Sequence, residues 1–190
     1  GNCHIYDDRS GDLKKAKDAL LQTIAEIDNS AKEKFSEVFN QVRNNFINVF
    51  RSLFTADDNC DMILADTGNP LESDIEIIAQ PKGKKPLSIQ QLSGGERTLT
   101  ATALLFGLYL VKPAPFCIFD EVDAPLDDNN IDKFNNIIKK FSKDSQFIII
   151  THNKKTMAAT DIIYGITMNE PGVTAVVPVD LREYADTIEA

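Results

Sequence analysis

Three short segments hold the residues best suited to chemistry: Ser93-Gly94-Gly95-Glu96, Asp120-Glu121 and His152. The first places two glycines at a helix start, where bare backbone N–H groups carry partial positive charge and suit a phosphate. It also fits a capping box, with Ser93 accepting from the Glu96 N–H and Glu96 reaching back to the Ser93 N–H, which needs no ligand. The two readings are compatible: a box would fix the helix end, and the glycines would leave it open although each weakens a first turn by up to about 1 kcal/mol against alanine. Asp120 and Glu121 follow the apolar run 116–119, where a parallel strand ends and ligands of such sheets gather. Asp120 suits a Mg2+ shell, directly or through water, and Glu121 suits orienting or deprotonating an attacking water. The plain alternative is a solvated acidic loop, since residues 120–128 hold five carboxylates. His152 closes a second apolar run, 147–150, one threonine further on. A lone histidine is more often structural; if the two strands are neighbours, His152 shares a rim with Glu121 and could hydrogen-bond a γ-phosphate. His4 has no such setting.

The elements that must position these residues follow from pattern. No proline or glycine interrupts residues 12 to 54, and apolar positions recur at Leu20, Ile24, Ile27, Ala31, Phe35, Val38, Val42, Phe46, Val49 and Leu53. Their gaps of four, three and four repeat every eleven residues, about 3.67 per turn, which gives a nearly straight seam. At about 1.5 Å per residue such a helix reaches roughly 60 Å. Such a helix either lies along its own domain or, the preferred reading, protrudes at its N-terminal part toward a partner helix, while Phe46, Phe50 and Phe54 pack on a globular body. Residues 1–11 read as a frayed start, because Asp7, Asp8, Ser10 and Gly11 favour a loop. The chain divides accordingly into 1–54 and 55–190. In the second part, 60–66 and 73–80 read as strands around Thr67-Gly68-Asn69-Pro70, and a Pro/Lys/Gly-rich loop covers 81–92. A helix runs from 94 to about 111, stopped by Pro113 and Pro115. Residues 116–119 and 146–150 read as strands buried on both faces. Helices cover 129–141 and 154–159, and a hairpin spans 162–179 across Glu170-Pro171-Gly172. This order predicts an α/β domain with a mainly parallel sheet.

Composition narrows the partners. The 190 residues, 43% hydrophobic, suffice for one domain with a core. A net charge of −9 argues against gripping nucleic acid across a broad basic face. Lys82, Lys84 and Lys85 form a local basic cluster whose simpler reading is a solvated loop. Cys3, Cys60 and Cys117 show no metal spacing, as expected of a reduced, cytoplasmic protein. No apolar run is long enough to cross a membrane.

Taken together, four segments are specific. "LSGGE" (92–96), "FCIFDE" (116–121), "APLD" (124–127) and "ITHNKKTM" (150–157) resemble, in order, the signature, Walker B, D-loop and H-loop segments of ABC-type ATPases. More narrowly, "LSGGERTLTATALLF", "DEVDAPLDDNN", "THNKKTM" and "YGITMNEPGVT" resemble the C-terminal head lobe of structural maintenance of chromosomes (SMC) proteins, bacterial ones in particular. The likeness runs from residue 12 to about 181. A transporter ATPase would read D-E-P-[TS]-x-x-L-D and THD instead; a RecN-like DNA-repair ATPase is the alternative within reach.

The resemblance implies an α/β fold, the C-terminal half of an ABC-type ATPase head, with the long helix as the base of a coiled-coil arm. It implies ATP and Mg2+, with Asp120 serving the metal, Glu121 as catalytic base and His152 as the γ-phosphate switch. Asp127 becomes the acid at the contact between two heads, while Ser93, Gly94, Gly95 and Glu96 serve a nucleotide on the opposing head. The implied partners are the protein's own N-terminal head lobe, a second SMC head, a kleisin subunit on the 162–179 hairpin, and DNA through the complete, nucleoid-associated complex, with no membrane. The sequence holds no G-x-x-x-x-G-K-[ST] loop; the nearest stretch, residues 81–86, lacks the first glycine and the Ser/Thr. In this family that loop lies in the N-terminal lobe, across the arm. These residues are therefore expected to be a piece of a longer protein and inactive as an ATPase by themselves.

Overall fold

One continuous helix, α1 (Cys3–Leu53), opens the chain. The structure is a computed structural model and describes residues 3–55, 57–81, 85 and 87–181. The frayed start expected for residues 1–11 is corrected from Cys3 onward, because the helix runs straight through Gly11. A mid-helix glycine costs about 1 kcal/mol, and extending a helix already nucleated over many turns outweighs that local preference. With 51 residues, α1 is about 76 Å long at about 1.5 Å per residue. Residues 11–30 are all exposed, Leu20, Ile24 and Ile27 included, whereas Val42, Phe46, Val49, Phe50 and Leu53 are buried. The same apolar seam thus stands in solvent at one end and in a core at the other.

Beyond α1 come β1 (Asn59–Leu64) and β2 (Ile75–Gln80), paired antiparallel with Asn59 opposite Gln80. Asp66 and Ser73 close the turn between them, the Asp66 carboxylate accepting the Gly68 N–H at 2.8 Å. A two-residue strand, β3 (Leu87–Ser88), joins the edge of β2 and passes into a 3-10 turn at Ile89–Gln91, where only a loop was expected. Next come α2 (Gly94–Tyr109), β4 (Phe116–Asp120), α3 (Asp128–Phe141), β5 (Gln146–Ile150) and the short α4 (Lys154–Ala158). The hairpin of β6 (Ile162–Glu170) and β7 (Val173–Asp180) completes the order. Pro171 leads its turn and Gly172 takes the left-handed conformation at φ 81°, the placement that turn chemistry favours.

The mainly parallel sheet is not what these strands form. Among the described residues they make three small sheets, of which only β4–β5 is parallel. The reason lies in the connections: the tight turn between β6 and β7 forces an antiparallel pair. The loop between Leu64 and Ile75 is shorter than the crossover of about a dozen residues that a parallel pair needs, whereas the β4–α3–β5 crossover permits one.

Burial of β4 and β5 on both faces is also corrected. Cys117, Phe119, Phe147 and Ile149 face the core beneath α2 and α3. On the other face Phe116 is 55% exposed, Ile118 58%, Ile148 45% and Ile150 52%. The helices α2 and α3 both pack on the inward side, where Phe106 and Phe134 meet Phe119, and the outward side chains remain in solvent.

Besides its share of the core, two specific contacts fasten helix α1 to this body. Gly107 of α2 lets the two helices approach so closely that a Cβ there would lie 2.9 Å from the Phe46 backbone nitrogen. Arg43 grips Asp61 of β1 with both prongs, Nε to Oδ1 at 2.5 Å and Nη2 to Oδ2 at 2.7 Å. This pair holds the Asp61 carboxyl below the usual carboxylate range and raises Arg43 further. Next to it, burial pushes the Cys60 thiol up to about 12. Cys60 thus packs partly buried against the core as a protonated thiol.

Candidate functional site

Parallel pairing decides where the candidate residues fall. β4 and β5 run in register from Phe116 opposite Gln146 to Asp120 opposite Ile150, so both strands leave the sheet at one edge. The Glu121 N–H adds a last rung, donating to the Ile150 carbonyl at 2.8 Å. Glu121 then takes a φ of 49°, a left-handed backbone that costs a non-glycine residue on the order of 1–2 kcal/mol. Strain of this kind persists where the surroundings over-determine it, typically at functional sites. The turn leaves Glu121 Oε1 3.7 Å from His152 Nδ1, with the two side chains 60% and 76% exposed. At that distance the two groups are not hydrogen-bonded; both stand exposed at the same edge of the strand pair.

Asp120 remains in the strand and is exposed. Period-two alternation places it on the same face as Phe116 and Ile118, the open apolar one. Among the described residues no group of three or more His, Cys, Asp and Glu side chains is placed to hold a metal. Mg2+ is commonly held by one or two carboxylates together with water and substrate phosphates, not by an all-protein cage. A single exposed carboxylate fits that mode.

At the start of α2 the capping box is complete. The Ser93 N–H and hydroxyl donate to Glu96 Oε2 at 3.0 and 2.8 Å, and the Glu96 N–H donates to Ser93 Oγ at 3.4 Å. A Cβ at Gly94 would meet nothing within 4 Å, whereas one at Gly95 would lie 3.4 Å from the Pro125 carbonyl oxygen. The helix end is therefore open at Gly94 and seated at Gly95 on the loop that leaves Glu121. Asp127, exposed at the end of that loop, caps α3 by accepting the Asn130 N–H at 2.9 Å. Of the three basic residues singled out, Lys85 is exposed; Lys82 and Lys84 lie outside the described residues.

One carboxylate of the acidic loop is not solvated. Asp123 is 2% exposed, and its Oδ2 accepts from the hydroxyls of Thr151 and Thr156. No spacing marks it out among the five acids of the loop. Its burial arises from the chain reversal after Glu121, secured by Ala124 N–H to Glu121 O and Leu126 N–H to Asp123 O. The hint in the sequence is a pair of threonines near His152, Thr151 beside it and Thr156 further along, two hydroxyls with no role in the phosphate chemistry.

With the geometry in place, comparison with known proteins becomes informative. A family model described as the RecF/RecN/SMC N terminal domain matches residues 9–175. The chain belongs to this RecF/RecN/SMC family. It is 55% identical over 172 residues to the Chromosome partition protein Smc of Chlorobaculum tepidum, covering 90% of this chain and 14% of that protein. Its fold matches an Smc head domain with an extended coiled coil, derived from Pyrococcus furiosus and bound to the C-terminal domain of ScpA. The TM-score is 0.84 at 37% identity, over 96% of this chain and 46% of that one. A second structure, from work on ATP-driven dimerization and DNA-stimulated activation of SMC ATPases, matches at TM-score 0.72 and 39% identity over 83% of this chain and 95% of that one. The architecture, a long helix with small sheets and covering helices, is thus the α/β fold of SMC heads. The chain spans only 14% of the length of that curated relative.

Proposed function

We propose that the chain is the C-terminal lobe of an SMC-type ATPase head, with residues 1–54 the base of a coiled-coil arm and 55–190 the lobe. In the complete protein it would serve ATP-driven head engagement in the organisation and segregation of chromosomes, in the cytoplasm at the nucleoid. The observation that carries this reading is the meeting of Glu121 and His152 at one edge of the β4–β5 pair. The family description names an N-terminal domain; the C-terminal lobe is supported instead by the motif set, which has signature, Walker B, D-loop and H-loop segments and no Gly-rich loop ending in Lys-Ser/Thr.

The bare face of β4–β5 supports a second lobe. Fully burying an apolar side chain contributes about 1.5–3 kcal/mol, and Phe116, Ile118, Ile148 and Ile150 offer four in one patch. Asp120 stands on that same face, so the lobe that covers it would bring the nucleotide phosphates to the carboxylate. Bound Mg2+ would there neutralise charge on the phosphate oxygens, held by Asp120 directly or through water. In hydrolysis a water attacks the γ-phosphorus and the bond to the ADP oxygen breaks. Glu121 orients that water and takes its proton, and His152 donates to a γ-phosphate oxygen. Such catalysis is mostly positioning and electrostatics, which suits side chains mounted on strand ends. The open start of α2 at Gly94 would meet the nucleotide of a second head, with Glu96 holding Ser93 in place and Asp127 at the head-to-head contact.

A kleisin partner is supported by the ScpA fragment bound to the Pyrococcus furiosus head; its placement on the β6–β7 hairpin rests on the exposure of Tyr164, Ile166, Met168 and Val176 alone. DNA is assigned to the complete complex, because this chain carries a net charge of −9. The 55% identity to a chromosome partition protein favours this reading over a RecN-like repair ATPase.

Steady-state ATP hydrolysis tests the proposal, measured on the chain alone and mixed with the N-terminal lobe of the same protein. The expected result is no turnover alone, turnover on mixing, and its loss in Glu121→Gln. Equal rates in both samples, above the Glu121→Gln control, would overturn the split site.

A further inference from the structure

The hydrolysis described above leaves Asp123 without a task, although it lies two residues past Glu121 and is almost fully buried. Burying a carboxylate is costly unless its acceptor positions are filled, and a loop that needed only a plug could use an apolar residue. Here Asp123 Oδ2 accepts from Thr151 Oγ1 at 2.7 Å and from Thr156 Oγ1, itself fully buried. Thr151 Oγ1 in turn accepts the Asn153 N–H at 2.9 Å. Asn153 Oδ1 accepts the N–H groups of Lys155 and Thr156 at 2.9 and 3.3 Å, capping α4. Both residues that flank His152 are therefore pinned, Thr151 to the loop behind Glu121 and Asn153 to α4. The His152 side chain itself stays 76% exposed.

We propose that Asp123 is a positioning residue that locks the His152 loop to the Glu121 loop through the Thr151 and Thr156 hydroxyls, setting the turnover rate and not the affinity for ATP. The inference rests on the hydrolytic reading of Glu121 and His152. Its physical basis is that backbone pairing ends with the Glu121 rung, and past it side-chain bonds hold one loop against the other. Lys155 reaches Asp128 and Asp132 at the far end of the acidic loop, while the Asp123 bonds lie beside Glu121 and His152. A misplacement of about 1 Å in a catalytic pair can cost on the order of 100-fold in rate.

The test is steady-state ATP hydrolysis by the full-length protein carrying Thr151→Val with Thr156→Val, set beside Thr151→Ser with Thr156→Ser. Valine keeps the shape and removes the hydroxyls; serine keeps the hydroxyls and removes a methyl. The valine pair is expected to lower kcat about 10- to 100-fold with KM for ATP within about twofold, and the serine pair to restore most of the rate. Asp123→Ala should behave as the valine pair does, and adding it to that pair should cost little more, because the same bonds are already absent. His152→Ala serves as the reference. If His152→Ala lowers kcat and the valine pair does not, the positioning role of Asp123 is overturned. The same holds if the serine pair is as impaired as the valine pair, or if KM rises while kcat stays. If His152→Ala leaves kcat unchanged, the reading of His152 falls first and this inference falls with it.

Discussion

The two faces of the β4–β5 pair are built from the same kinds of residue and live in opposite surroundings. Inward, Phe119 and Phe147 stack with ring centroids 5.9 Å apart, and Phe106 of α2 lies against both. Outward, Phe116, Ile118, Ile148 and Ile150 stand in solvent. Isolated exposed hydrophobes are ordinary, but a contiguous patch on a strand pair marks an interface. The contrast separates what this chain buries by itself from what it leaves in solvent, and Asp120 lies on the second side.

The inward face should give the largest response. Phe106 is fully buried and touches Tyr109, Phe119, Phe141 and Phe147. Phe106→Ala is expected to destabilise the chain by about 3–5 kcal/mol, read as a lowered urea midpoint. A change below about 1 kcal/mol would mean that the inward cluster is loosely packed and that the two faces are alike.

Next in size is the contact that brings α1 down over the same core. At Gly107 an added Cβ would meet the Phe46 backbone, nitrogen at 2.9 Å and Cα at 3.1 Å, and backbone cannot swing aside as a side chain would. Gly107→Ala is therefore expected to cost about 1–3 kcal/mol, although alanine is the better helix former. If it stabilises instead, α1 is free to shift on α2 and the inward face is not fixed by this helix pair.

Much of this was legible before any coordinates, and the failures have physical causes. The eleven-residue seam marked α1, and "FCIF" and "QFIII" marked β4 and β5, because periodicity and apolar runs are local signals. The capping box at Ser93 and the shared rim of Glu121 and His152 also followed from sequence, the latter on the condition of adjacent strands that the parallel pairing meets. The helix through Gly11 is hidden at the level of local loop preference, which carries nothing of the cooperativity of the whole helix. Burial of β4 and β5 on both faces was overread: an apolar strand reports that two covers are suited to it, not that both come from this chain. Asp123 was missed because burial of one acid among five depends on where the chain turns back, which no spacing encodes.

A smaller effect is expected where α1 meets β1. Arg43 and Asp61 are bidentate, but their side chains are 39% and 34% exposed, so solvent screening holds the pair to about 0.2–1 kcal/mol. Asp61 is held below its ordinary range by the Arg43 hydrogen bonds. Its contribution is therefore complete above the unfolded carboxyl value, about pH 4. It fades as the pH falls through the lowered folded value. Asp61→Asn should flatten that part of the acid limb in urea midpoints compared between pH 7 and pH 3. An unchanged acid limb would mean that the clamp does not hold α1 to the inward body.

The smallest effect on this chain's own stability belongs to the outward face. Ile118 and Ile148 sit opposite one another in register, and their side chains already meet water, so replacing both with serine forfeits little transfer free energy. Ile118→Ser with Ile148→Ser is expected to move the urea midpoint of the isolated chain by no more than about 0.5 kcal/mol for each site. The same pair should weaken association with the N-terminal lobe at least tenfold, since each side chain would contribute about 1.5–3 kcal/mol once buried. The two measurements pull apart only if the cover comes from outside the chain. A loss above about 2 kcal/mol in the isolated chain would show that the face is already covered. If that loss grew with dilution, a second copy would be the cover; in either case the contrast between the two faces would disappear.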